Sequence, residues 1–169
     1  MADLDIAMLI LSEHELFRRA FTEIEQISDA KQAHERWVEL ADQLEVHASG
    51  EELIFYPALL NQVDDSEGDT KHAVKDHNEI RDAVRAVDEH EAGSDDWWEA
   101  FRQAREATVE HLGEEETDVL PPFKDDVSTE ERTELGIKWL QFRDEHEQAK
   151  GLSGKDKDPE AYVEKHTST

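Results

Sequence analysis

His47-Ala48-Ser49-Gly50-Glu51-Glu52 runs on to Pro57, and His111-Leu112-Gly113-Glu114-Glu115-Glu116 runs on to Pro121. In each stretch a histidine stands four residues before a glutamate, a second glutamate follows, and a proline comes ten residues after the histidine. The copies lie 64 residues apart. Positions i and i+4 share one face of a helix, so each copy aims an imidazole and a carboxylate at one point. Two such pairs in one small domain read as the two halves of a metal site on a helical scaffold.

The repeat extends upstream. Ser12-Glu13-His14-Glu15-Leu16-Phe17-Arg18-Arg19-Ala20 aligns with Lys75-Asp76-His77-Asn78-Glu79-Ile80-Arg81-Asp82-Ala83 at an offset of 63. The match keeps acid-His, an apolar residue at +3, Arg at +4 and Ala at +6. Each half of the chain therefore supplies one helix with a lone His and one with HxxxE.

Apolar residues at helical spacing define four segments, about 3–27, 29–60, 69–90 and 95–120. His14 falls in line with Ile10, Phe17, Phe21 and Ile24. His47 and Glu51 fall in line with Trp37, Leu40, Leu44 and Ile54. His77 joins Ala73, Ile80, Val84 and Val87; His111 and Glu115 join Phe101, Ala104, Thr108 and Val119. No segment alternates with period 2. Ser28-Asp29, the 64–69 loop and Gly93-Ser94 punctuate the segments as caps and turns, and Pro57 and Pro121-Pro122 bend or end their helices. Short loops between helices of similar length predict an all-α fold, an antiparallel up-down four-helix bundle to about residue 123. Ser128-Thr129-Glu130-Glu131 reads as a capping box that opens an additional C-terminal helix over about 128–149. This gives one domain over 1–150. Residues 151–169 read as a polar, frayed tail, with a short helix possible over Pro159–Lys165.

The chain has 169 residues, 37% hydrophobic, with no cysteine, which excludes disulfides and thiolate ligands. Its net charge is −26, from 44 acids against 18 bases. That repels nucleic acid and anionic membranes. It reads first as a solvated acidic surface and second as a field that gathers cations. Ile6 to Leu11 is too short for a signal sequence, and no stretch spans a membrane, so a soluble cytoplasmic protein is expected.

His14, His47, His77, His111, Glu51 and Glu115 all sit on core stripes. A buried neutral polar group without a partner costs about 2–7 kcal/mol, and a charge more. Six in one core require something to pair them, and bound cations do so. Imidazole with carboxylate suits Fe, Mn, Zn or Co. Six ligands are too many for one tetrahedral zinc and suit two metals roughly 3.5–4 Å apart. Several neutral imidazoles with two carboxylates leave such a site cationic, which favours a redox-active iron pair with an oxo or hydroxo bridge.

This set, His14, His47-x3-Glu51, His77 and His111-x3-Glu115, with Tyr56-Pro57 and Leu120-Pro121 after the glutamates, resembles the hemerythrin-like HHE cation-binding domain over about residues 4–123. The resemblance implies a four-helix bundle around two non-heme irons, with the four histidines as terminal ligands and Glu51 and Glu115 as carboxylate bridges. It also implies a small diatomic or peroxide ligand: such proteins bind oxygen, sense iron or oxygen, or handle nitric oxide or peroxide.

His72 departs from the pattern. It lies five residues before His77, about 140° off the stripe on a regular helix. A π-bulge between them would turn both inward, and His72 is expected to join the ligands on that basis. Tyr56 reads as helix-end packing or as a donor to a bridging oxygen. Glu52 and Glu116 read as solvated flank or as partners of the histidines. Gly50 and Gly113 suggest close helix approach. His34, His90, His146 and His166 read as surface. The sequence supports a di-iron protein that binds or responds to a small oxidant or to iron, or alternatively a di-iron enzyme that dismutates peroxide or reduces nitric oxide. A metal-free structural bundle is the third reading, and the six in-register ligands oppose it.

Overall fold

A computed structural model describes residues 4–167; residues 1–3 of the expected domain and 168–169 of the expected tail lie outside it. Most of the described residues are helical, and none of them forms a strand. The bundle helices are α1 (Ile6–Glu25), α2 (Ala30–Gly50), α4 (Glu67–Asp88) and α5 (Asp95–Glu114). α2 runs through a π turn, Glu51–Phe55, into α3 (Tyr56–Gln62), and α5 runs through a second, Glu115–Val119, into α6 (Leu120–Asp126). The duplication survives in the fold, because both π turns and both short helices repeat at the 64-residue offset.

Caps set the helix starts. Asp29 accepts from the Gln32 N–H at 2.8 Å, Ser94 from Trp97 at 3.1 Å and Ser128 from Glu131 at 3.2 Å. These side chains satisfy amide donors that the first helical turn leaves free. α4 starts two residues before the expected Asp69. Ser66 precedes it, with its hydroxyl turned back to donate to the Leu59 and Val63 carbonyls.

Cross-helix pairs show that neighbours run antiparallel. Along α1 and α2, His14 meets His47 while Phe21 meets Trp37. Along α2 and α4, Glu45 pairs with Arg81 and Glu52 with His77. Along α5 and α1, Arg105 pairs with Glu25 and Glu115 with His14. The up-down bundle is thus closed in chain order.

Two aromatic cores fill its ends. One packs Phe21, Trp37, Trp97 and Phe101; the other packs Ile6, Ile10, Phe55, Leu59, Phe123 and Trp139. The histidine and glutamate layer lies between them, walled off at both ends by apolar packing.

Two elements lie outside the bundle. α7 (Thr129–Glu145) crosses α1 and α2. It comes so close that a Cβ added at Gly136 would stand 1.6 Å from the Leu4 carbonyl oxygen. A 3-10 turn, Glu147–Ala149, leads into the tail and α8 (Pro159–Thr167). The tail that composition reads as frayed is packed. The Asn78 side chain donates to the Lys157 carbonyl at 2.6 Å and accepts from its N–H at 2.9 Å, and Tyr162 and Val163 are buried. Those two side chains give the segment an anchor that its Gly, Ser, Lys and Asp content hides. Among the described residues no helix is long and apolar enough to cross a membrane.

Candidate metal centre

The two prolines shape the site before any ligand is considered. A proline supplies no N–H and crowds the carbonyl four residues back, here Leu53 or Thr117. Both carbonyls lie inside the π turns, where the amide of Tyr56 instead reaches Glu51 and that of Leu120 reaches Glu115. The wider turns follow directly after each HxxxE unit, so Glu51 and Glu115 open them.

Six of the seven expected ligands converge. His14, His47, Glu51 and Glu115 form one buried group, and Glu51, His77 and His111 a second, the ligating atoms of each lying within 4.8 Å of one another. Glu51 belongs to both. Its Oε1 is 2.9 Å from His47 Nε2 and its Oε2 is 3.1 Å from His77 Nε2. Glu115 Oε2 is 3.3 Å from His14 Nε2 and 4.0 Å from His111 Nε2. The four imidazoles thus present Nε2 inward, and the two carboxylates lie between them.

His14 Nε2, His47 Nε2, Glu51 Oε1 and Glu115 Oε2 are buried without a well-aligned hydrogen bond, although His47 Nε2 and Glu51 Oε1 stand 2.9 Å apart as an ion pair. An orphaned buried polar atom is costly, and four converging from four positions form the donor set of a cation. His77 Nε2 and His111 Nε2 face each other at 3.1 Å, where one proton or one ion must stand between two lone pairs. The residues present therefore fit metal.

Each outer nitrogen Nδ1 rests on an acid from another helix. His47 meets Glu13 at 2.7 Å, His111 meets Asp76 at 3.3 Å, His77 meets Glu52 at 2.9 Å and His14 meets Glu116 at 2.9 Å. An acid on Nδ1 fixes the ring and leaves Nε2 to bind metal. The pairing follows the duplication: the acid before each lone His serves the HxxxE histidine of its own half, and the acid after each Glu serves the lone His of the other half. Glu52 and Glu116 are thus partners of histidines rather than solvated flank. Glu13 and Asp76 are not among the expected partners, although the acid-His step repeated in the two halves is their signal.

Electrostatics hold the acids charged. Burial raises all four, but His47 outweighs it at Glu13, His77 and Arg81 at Glu52, His111 at Asp76, and Arg18 and His14 at Glu116. Glu52 falls to about 2. Burial lowers His47 and His77, yet Glu51 and Glu13 carry the first up to about 10, and Glu51 and Glu52 the second to about 9. Burial, with Glu115 and Glu51 beside it, holds the Tyr56 phenol well above its ordinary range, so it keeps its proton. That hydroxyl donates to Glu115 Oε1 at 2.9 Å and lies 3.3 Å from Glu51 Oε2. Tyr56 is therefore joined to the ligands, not simply packed at a helix end.

The outlying elements reach this layer. Trp139 of α7 donates to Glu13 Oε1 at 2.9 Å, and Arg143 forms an ion pair with the same oxygen at 2.8 Å. Trp139 also lies over Gly50, where an added Cβ would stand 2.9 Å from its ring. Lys157 of the tail pairs with Glu52, and the Tyr162 hydroxyl donates to the Glu52 carbonyl. Gly113 has no such neighbour within 4 Å, so the expected close approach holds for Gly50 alone.

His72 is not among the converging residues. α4 is α-helical over its whole length, and its sequence holds no proline to open a π turn. The His72 side chain stays 57% exposed and lies 2.9 Å from Glu114. His90 is exposed, and His34, His146 and His166 are half-buried away from the centre.

Residues 5–123 match the hemerythrin HHE cation binding domain, and the chain belongs to that family. It is also similar to a DNA nickase of Nostoc sp. (strain PCC 7120 / SAG 25.82 / UTEX 2576), at 22% identity over 129 residues. That stretch is 76% of this chain and 36% of the relative, so the chain spans about a third of the relative's length. No solved structure matches the chain.

Proposed function

We propose that this chain is a non-heme di-iron protein that binds or responds to a small oxidant, namely oxygen, peroxide or nitric oxide. The observation that carries the reading is the double role of Glu51, whose two oxygens face His47 in one buried group and His77 in the other. In this reading His14, His47, His77, His111, Glu51 and Glu115 would hold the two ions, with Glu51 common to both buried groups. Iron bound there would supply the electrons for the oxidant. The chain supplies the rest. Glu13, Asp76, Glu52 and Glu116 orient the four imidazoles, the two aromatic cores close the ends of the layer, and Tyr56 holds a proton on the edge of both carboxylates.

That phenol favours a second reading, an enzyme acting on peroxide or nitric oxide at the same centre, because its hydroxyl stands at the centre as a hydrogen-bond donor, 2.9 Å from Glu115. Iron analysis with an optical spectrum, followed by addition of each oxidant, tests both. A reversible oxygen band supports binding, and rapid gas evolution from peroxide supports turnover. An iron-free protein with no spectral response overturns both.

A further inference from the structure

A chamber of about 320 Å³ opens beside the centre between α2, α4 and α5. His47, His77 and His111 form its floor, Leu44, Ile80, Val84 and Leu112 give it apolar walls, and charged side chains including Glu45 and Arg81 complete the lining. Val84 stands seven residues beyond His77 on α4, so the space runs about 10 Å along the bundle axis at 1.5 Å per residue. Ser153 and Gly154 of the tail roof it, and Arg85 fixes that roof by donating to the Gly154 carbonyl at 2.8 Å and Asp156 at 2.9 Å.

A diatomic molecule needs about the space of one water, roughly 30 Å³. Pockets that hold organic ligands begin at about 300 Å³ and have mostly apolar walls with a few convergent polar groups. We propose, resting on the di-iron reading above, that the oxidant is an organic hydroperoxide. Its apolar body fills this chamber while its oxygen end faces the histidine floor. Among the candidate oxidants, only a peroxide can carry a group that contacts Leu44, Ile80 and Val84. A diatomic leaves those walls facing empty space or poorly held water.

Cumyl alcohol, the unreactive counterpart of cumene hydroperoxide, tests the chamber in the full-length metal-free protein, with binding followed by NMR. The alcohol is expected to bind, and Val84→Trp, which fills the chamber from α4, is expected to weaken it by about tenfold or more. In the iron-loaded protein the same substitution is expected to lower the ratio of the cumene hydroperoxide response to the hydrogen peroxide response by a similar factor. Ala41→Trp fills the chamber from α2 and replaces Val84→Trp if that variant does not fold. No binding of the alcohol, or binding untouched by the filling substitution, overturns the proposal. The NMR arm needs no iron, so its failure strikes the chamber alone. Absence of iron uptake or of any oxidant response strikes the di-iron reading.

Discussion

Glu13 Oε2 stands 2.7 Å from His47 Nδ1, and the other oxygen of that carboxylate takes Trp139 and Arg143 from α7. One side chain thus joins the helix outside the bundle to the metal layer inside it. Glu13→Gln keeps the shape but weakens the hold on the imidazole. Loss of such a partner lowers metal affinity by about 10- to 100-fold. Chelator competition should show that loss, and Asp76→Asn should show it too, through His111.

The glycines beside the two HxxxE units should respond oppositely to one change. Gly50→Ala drives a Cβ into the Trp139 ring and should destabilise the fold by about 1–3 kcal/mol. Gly113→Ala meets nothing within 4 Å and should stabilise it by up to about 1 kcal/mol, because alanine favours a helix interior. Denaturant unfolding of the two variants measures the contrast.

The metal-free protein should lose stability as pH rises. His47 has a folded pKa of about 10 and His77 of about 9, against a usual 6.5. A raised pKa contributes stability that is fully present below 6.5 and is lost as pH climbs through 9 to 10. Metal uptake should run the other way, because metal binds neutral imidazole and must displace those protons. Unfolding curves across pH 6 to 10, with proton release on metal addition at pH 8, check both signs.

Tyr56→Phe removes a donor to Glu115 while leaving the ring in place. The expected cost is about 0.5–1.5 kcal/mol in unfolding free energy, with metal content retained and the optical spectrum of the loaded protein shifted. An unchanged spectrum would assign Tyr56 to packing alone.

Much of this architecture was legible in the sequence because helical periodicity is strict. The stripes placed His14, His47, Glu51, His77, His111 and Glu115 inside, and the duplication placed them in pairs. His72 stays outside because each helix-widening π turn lies just before a proline, and α4 holds no proline. The supporting acids were half seen. Glu52 and Glu116 read as possible histidine partners from their place beside each HxxxE, but Glu13 and Asp76 reach across to the neighbouring helix, which the sequence of one helix does not display. The tail was misjudged because two buried side chains, Tyr162 and Val163, outweigh a polar composition.

His72→Ala follows from that correction. The side chain is exposed and outside both buried groups, so its removal should leave metal content unchanged, while His47→Ala with His111→Ala should abolish most of it. Elemental analysis of the purified variants decides.

Metal stoichiometry with Glu51→Ala tests most directly whether the two buried groups hold a pair of ions through one shared carboxylate. Elemental analysis and native mass spectrometry should find two irons per chain in the unaltered protein and well under one in the variant, because both groups lose the same ligand. Retention of two irons after Glu51→Ala, or a single iron in the unaltered protein, would contradict it.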